Sequence, residues 1–219
     1  MLNPLAALNK LLSSAASLYA AEKNIGKRSR KVLTLDQFIA DSVLHAQGAC
    51  SGAGAKSLDL GCGSKPQNPF DAEQVFGVDI REDVDANVRR GNLFLRPIPF
   101  SDNEFDFCTA INFIEHVPRV IVVDGEILNP FIQLMNDVYR ILRGNGLFLS
   151  VTPAFPSKEA FQDPTHVNII TEDTFRLYFC SESSEKPWAS IYGYDGSFRL
   201  INQAWLHNSF LVTLMQVVK

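Results

Sequence analysis

At 219 residues the chain has room for one domain with a short appendage, and 46% hydrophobic residues, 16 of them Phe, suffice for a full core. A formal net charge of −4 speaks against nucleic acid as the main partner, because such proteins present a basic face. The 4 cysteines (Cys50, Cys62, Cys108 and Cys180) are scattered without a C-x-x-C pair, which reads as free thiols of a reducing, cytoplasmic compartment and not as a disulfide framework.

The first thirty residues are helical in tone, with Leu5, Leu8, Leu11, Leu12, Ala15 and Tyr19 on one face. No charged region precedes an apolar core there, so no signal peptide is expected. No stretch is long enough to span a membrane. A basic run follows at Lys23, Lys27, Arg28, Arg30 and Lys31. The plain reading of this run is a solvated linker; the functional one is a cover over a substrate mouth or a contact with an anionic surface. Residues 1–34 are therefore set apart as a helical segment with a basic tail, and 35–219 as the main domain.

A helix is predicted over 34–47, with Leu35, Phe38, Ile39, Val43 and Leu44 apolar, and Ser51–Gly54 is a loop. Short apolar runs predict strands at 56–60, 75–79, 87–90, 106–111 and 147–151. Pro66 and Pro69 restrict the first crossover helix to about Phe70–Gln74, since Pro is tolerated only in a helix's first turn. Asn129-Pro130 supplies an N-cap and first helical residue, and Gly144 is placed to stop that helix after about Leu142. Thr171 caps a further helix with Glu172 and Asp173 in its first turn. The runs 197–206 and 209–218 fold back at His207-Asn208 as an antiparallel hairpin, and the second run, apolar on both faces, belongs inside the sheet.

The densest signal is Ser57-Leu58-Asp59-Leu60-Gly61-Cys62-Gly63, followed by the apolar run Val75–Val78 and its terminal Asp79. A strand that opens into a glycine turn, and a second strand ending in an acid, build a nucleotide site. The glycines let backbone approach the ligand, and the acid reaches a ribose diol. A dinucleotide fold needs a third glycine where Pro66 stands, so an NAD-dependent enzyme is disfavoured. A nucleoside without phosphates fits better, and S-adenosylmethionine is one.

From Ser57 to about Phe155 the chain resembles the class I S-adenosylmethionine-dependent methyltransferases, in the broad group of type 11 methyltransferase domains. The segments that carry the resemblance are Leu58–Gly63, Asp79, Arg90-Gly91-Asn92-Leu93, Ile98–Phe107, Ile114-Glu115-His116-Val117 and Arg140–Gly146, in the family's order. The resemblance implies a Rossmann-like α/β fold: a seven-stranded, mostly parallel sheet with an antiparallel C-terminal hairpin and helices on both faces. It implies S-adenosylmethionine as cofactor, with Asp59 holding the turn near the methionine amino group and Gly61 and Gly63 giving backbone access. Asp79 would take the ribose hydroxyls, Asn92 and Leu93 would border the adenine, and Asn112 would lie near the methionine end. The family usually has Asp where Asn92 stands; Asn still offers an acceptor and a donor.

Methyl transfer is an in-line displacement, so the protein must align the acceptor and, for a hydroxyl, help remove its proton. His166 is the first candidate, because Asp163-Pro164-Thr165-His166-Val167 resembles a D-P-x-H-V segment that borders the substrate pocket in bacterial members of the family. His116 is the second; the plain alternatives are a loop-ordering His166 and a partly buried His116. Tyr192 and Tyr194 are pocket or packing residues. Some methyltransferases of this fold bind a divalent ion through E-x-x-E-H and a distant His. Here Asn112 replaces the first Glu, and no metal is expected. The expected reaction is methylation of a small-molecule hydroxyl of glycan or secondary-metabolite type by a monomer or homodimer. The alternatives are a non-catalytic S-adenosylmethionine-binding module, and a protein or RNA methyltransferase docking through the basic N-terminal segment.

Overall fold

The computed structural model describes residues 12–13, 30–32, 34–48, 54–81, 86–181 and 186–219. Its strands are β1 (Arg30–Val32), β2 (Lys56–Leu60), β3 (Gln74–Asp79), β4 (Val88–Arg90), β5 (Phe105–Ile111), β6 (Ile121–Val123), β7 (Glu126–Leu128), β8 (Leu142–Pro153), β9 (Phe198–Leu206) and β10 (Phe210–Val217). The helices are α1 (Leu35–Val43), α2 (Pro130–Ile141), α3 (Glu159–Gln162) and α4 (Glu172–Phe179), with 3-10 turns at Ile114–His116 and Trp188–Tyr192.

Eight strands form one sheet in the order β1-β9-β10-β8-β5-β2-β3-β4, and β6 and β7 form a separate hairpin. β4, β3, β2, β5 and β8 are parallel, whereas β10 runs antiparallel to both β8 and β9. The expected seven-stranded frame with its antiparallel C-terminal hairpin is therefore present. It carries one strand more than expected: β1 pairs in parallel with β9, Arg30 opposite Ala204, so the end of the basic run closes the sheet edge. Leu12 and Ser13 are helical. The rest of the predicted N-terminal helical face, the residues Lys23, Lys27 and Arg28, the possible cover role, and Cys50 lie outside the described residues.

Side chains leave alternate faces of a strand, so β8 feeds two cores. Phe148 faces a core shared with Leu134, Met135 and Val138 of α2 and Phe175 and Phe179 of α4. Leu147, Leu149 and Val151 face a second core with Phe38 and Ile39 of α1. α1 is tied to β9 by Ser42, whose Oγ accepts from Asn202 Nδ2 at 2.8 Å. Leu44 is 83% exposed and contributes nothing to either core, because the helix ends at Val43 and the chain turns away.

Two local expectations are corrected. No helix forms over 70–74: Gln74 already belongs to β3. Asn68 closes the loop instead, Oδ1 accepting from Ala72 N–H and Nδ2 donating to Ala72 O, both at 2.9 Å. Phe70 then lies flat on Phe107, ring centroids 4.5 Å apart and planes 10° off parallel, covering the sheet with one ring in place of a helix turn. Nor does Gly144 stop α2. Leu142 is already extended, and Gly144 lies inside β8. Leu142 pairs with Phe105, and the register then shifts so that Phe107 meets Leu147. Within that irregularity Arg143 donates to both carboxylate oxygens of the buried Asp106, at 2.9 and 3.0 Å. Asn129 leads into α2 without a capping bond from its side chain, while Thr171 and Thr174 form a reciprocal cap at α4.

Candidate active site

The carboxyl ends of β2, β3, β4 and β5 meet where the strand order reverses, the place where open parallel sheets bind ligands. β2 ends at Leu60 and the backbone enters the left-handed region at Gly61 (φ +64°) and again at Gly63 (φ +67°), which glycine adopts without the Cβ penalty. Gly61 N–H donates to Val78 O at 2.8 Å, and Gly63 N–H donates to Asp79 Oδ2 at 2.8 Å. The other Asp79 oxygen accepts from Arg81 N–H at 3.0 Å. A carboxylate has about four lone-pair sites, so capacity remains for a diol.

Asp59 is 1% exposed and locks the turn from beneath. Its Oδ1 accepts from the Thr109 hydroxyl at 2.7 Å and its Oδ2 from Gln67 N–H at 2.9 Å. Burial pushes its carboxyl up to about 6, against the pull of those two hydrogen bonds and with a further push from the Asp79 charge.

A cavity of about 360 Å³ opens above this turn, lined among others by Gly61, Asp79, Asn92, Leu93, Asn112 and His116. Six of the residues singled out from sequence thus converge on one space. Gly63 and Asp59 do not line it; they hold Asp79 and the turn in place. Asn92 Oδ1 accepts from Phe94 N–H at 3.1 Å, leaving the amide donors as its spare capacity. Asn112 sits at φ +53°, which Asn tolerates better than most side chains, and its N–H donates to Val151 O at 2.8 Å.

Several residues of this region were not legible as site residues. Phe113 packs over Gly61 so closely that a Cβ added there would lie 2.2 Å from the ring. Its ring stacks on Phe94, centroids 6.3 Å apart. Arg81 lies across Gly63 and beside Asp79. The only sequence signal for these was adjacency to predicted positions.

Beside the cavity the structure brings His116 and His166 together, ring centroids 4.9 Å apart and planes at 71°. His116 lines the cavity; His166 comes from the segment after β8 and stands behind it. Their tautomers follow from their partners. The Thr165 hydroxyl gives its proton to Asp163 Oδ1 at 2.7 Å, since a carboxylate only accepts, so Thr165 Oγ1, 2.9 Å from His116 Nδ1, must accept from it. His166 Nδ1 lies 3.0 Å from the Glu159 carbonyl and must donate there. In the neutral form of either ring Nε2 therefore keeps its lone pair.

Glu115 is 2% exposed, and its Oε2 accepts from the Thr152 hydroxyl at 2.8 Å. Burial raises its pKa. Its backbone carbonyl accepts from Val167 and Asn168 N–H, both at 2.9 Å, which fixes the loop that carries His166. Asn168 Oδ1 in turn accepts from Arg119 Nε at 2.7 Å. Arg119 lines a second cavity of about 630 Å³, walled by Phe131, Phe155, Tyr178, Tyr192 and their neighbours. Tyr194 is buried away from it, its hydroxyl without a partner among the described residues. Thr152, Thr165, Arg119 and Asn168 carried no sequence signal.

Comparison with known proteins agrees with this geometry. Residues 58–150 match the family model described as a methyltransferase domain. No curated protein sequence matches the chain. Among solved structures, the PH0226 protein from Pyrococcus horikoshii OT3 is similar with a TM-score of 0.52 and 19% identity, covering 83% of this chain and 90% of that one. A SAM-dependent methyltransferase from Aquifex aeolicus gives 0.51 and 15%, covering 90% and 98%. The [4+2]-cyclase SpnF gives 0.51 and 10%, covering 84% and 80%. At such identities these likenesses establish the fold, and SpnF shows that the fold also serves another reaction. No helix among the described residues is long and apolar enough to cross a membrane.

Proposed function

We propose that the chain is a class I S-adenosylmethionine-dependent methyltransferase, with S-adenosylmethionine as cofactor, and that it methylates a hydroxyl of a small molecule of glycan or secondary-metabolite type; the methyltransferase-domain match over residues 58–150 supports this reading. When bound, the cofactor supplies a methyl group on a sulfonium sulfur. The residues of the 360 Å³ cavity fit its nucleoside: a carboxylate with spare acceptor capacity at Asp79, an amide at Asn92, and an apolar wall at Leu93 and Val78. In this reading Asp79 holds the ribose diol, Asn92 and Leu93 border the adenine, and Asn112 stands at the methionine end. Gly61 and Gly63 shape the turn, and Asp59 fixes it from below.

The observation that carries the hydroxyl reading is the pair of imidazoles beside that cavity, each with Nδ1 committed as donor and Nε2 left as acceptor. A hydroxyl must lose its proton, which an amine free base need not, and a positioned imidazole is suited to that task. His116 and His166 activate the acceptor: its proton leaves to an Nε2, its oxygen bonds the methyl carbon, and the former sulfur–carbon pair stays on sulfur. The 630 Å³ cavity, reached through the same loop and rich in aromatic rings with Arg119 at its edge, takes the body of the acceptor. Half-buried and buried thiols at Cys62 and Cys108, outside any disulfide, suit a cytoplasmic enzyme.

The test is mass spectrometry of hydroxyl-bearing glycosides and phenols incubated with S-adenosylmethionine and enzyme. His166→Ala should keep S-adenosylhomocysteine affinity and lose about 10²–10⁴-fold in turnover. Turnover confined to amines, or none on any acceptor while the cofactor binds, contradicts the reading.

A further inference from the structure

We propose that Glu115, His116 and His166 together bind a divalent first-row transition-metal ion. One donor atom from each lies within 4.8 Å of the other two. Around a small ion bound at about 2.0–2.2 Å, neighbouring donors stand about 3.4 Å apart, so small side-chain rotations complete the set. Two imidazoles and one carboxylate are a donor set for zinc, iron, cobalt or manganese and not for magnesium or calcium, which take oxygen.

Three independent features point to a ligand there. First, each donor is already oriented by a partner of its own. Thr152 holds the Glu115 carboxylate at 2.8 Å, Thr165 takes the His116 Nδ1 proton at 2.9 Å, and the Glu159 carbonyl takes that of His166 at 3.0 Å. Metal-bound histidines are supported in this way, with the second ring nitrogen fixed so that the first presents its lone pair. Second, Glu115 is a buried carboxylate, and among the described residues it forms no ion pair with Lys or Arg. Burial disfavours the charged carboxylate, and a bound cation offsets that cost. Third, a further carboxylate stands at the rim: Asp163 Oδ2 lies 4.0 Å from His166 Nε2. Glu115, His116 and His166 thus converge, with Asp163 beside His166.

The inference rests on the proposed function only for what the ion does, which is to activate the same hydroxyl by another route. The acceptor oxygen binds the ion, its proton becomes easier to lose and passes to solvent, and the retained pair forms the bond to the methyl carbon while the sulfur–carbon pair stays on sulfur.

The experiment is a titration of chelator-stripped, full-length protein with cobalt(II) followed by visible absorption, and with zinc(II) by calorimetry. One equivalent should bind and give cobalt d–d bands. His166→Ala and Glu115→Gln should weaken binding by more than about 100-fold, and the orienting change Thr165→Val by about 10–100-fold. His45→Ala, exposed in the turn after α1, whose next residues share Gln216 with Asn145 at the opposite end of β8, should leave binding unchanged. S-adenosylhomocysteine affinity serves as the folding check for each variant, and Thr165→Val stands in for any ligand variant that fails it. Absence of binding to the folded wild type overturns the proposal, as does binding that survives the substitutions of His166, Glu115 and Thr165. The two readings fail separately. Loss of turnover in His166→Ala without any metal binding refutes the ion and leaves hydroxyl activation standing. Metal binding without hydroxyl methylation does the reverse.

Discussion

Replacing Asp59 by Asn should make the protein more stable at neutral and alkaline pH. Asp59 is 1% exposed, and burial raises its carboxyl from 3.8 to about 6. For an acid whose pKa rises on folding, the native state holds the proton more tightly than the unfolded state. Between pH 3.8 and about 6 the native protein is therefore the more protonated form, and stability falls as pH rises through that window. Below it the charge costs nothing; above it the full cost applies. A shift of about two units is worth about 3 kcal/mol, and near-complete burial leaves little solvent screening to reduce it. Asn removes the charge and keeps the shape. Its Oδ1 can still accept from Gln67 N–H, and its Nδ2 can donate to Thr109 Oγ1, whose own proton has the Leu58 carbonyl 3.5 Å away. Urea unfolding of wild type and Asp59→Asn should give a variant about 2–3 kcal/mol more stable at pH 8, with the difference fading by pH 4. A variant equal to or weaker than wild type at pH 8, or a difference that does not change with pH, would refute the reasoning.

Other substitutions probe the cavity and its supports. Asp79→Ala should weaken S-adenosylhomocysteine binding by about 2–3 kcal/mol, the worth of hydrogen bonds to a charged group, as read by calorimetry; unchanged affinity would remove the ribose role. Gly61→Ala places a methyl 2.2 Å from the Phe113 ring in a left-handed backbone position, so cofactor affinity should fall at least about tenfold. The double variant Gly61→Ala, Phe113→Ala should recover part of that loss, because the two sites touch. Arg140 donates to the carbonyls of Ile98 and Phe100 and to the carboxylates of Asp102 and Asp137, so Arg140→Ala should lower unfolding stability by about 2–3 kcal/mol. Its cofactor affinity should stay near wild type, since Arg140 does not line the cavity.

The parts of the fold legible in the sequence were those written in local chemistry. Predominantly apolar segments marked β3, β5 and β10 because strands covered on both faces need no alternation, and β2 was marked by Leu58 and Leu60 before its glycine turn. The caps at Thr171 and the turn at His207-Asn208 were readable because short polar side chains satisfy backbone groups at fixed offsets. Gly61 and Asp79 stood out because ligand-facing strands end in glycine and acid, while Asn92, Leu93 and Asn112 came from the family resemblance; all five line one cavity. What the sequence hid was long-range. β1 is three residues whose partner lies in β9, far along the chain, and no local pattern announces such pairing. The helix expected near Phe70 was lost to a closed Asn68–Ala72 loop and an aromatic stack on Phe107, both tertiary. Gly144 looked like a helix stop because the pairing of Leu142 with Phe105, which ends the helix earlier, involves a distant strand. His116 and His166 were each visible alone, but their contact depends on the loop that Glu115, Asn168 and Arg119 pin.

The most direct test of the central claim is a crystal structure of the full chain with S-adenosylhomocysteine. Its ribose hydroxyls are expected on the Asp79 carboxylate and its adenine against Asn92 and Leu93, inside the 360 Å³ cavity. A nucleoside seated elsewhere, in the aromatic cavity beside Arg119 or away from Asp79, would contradict it.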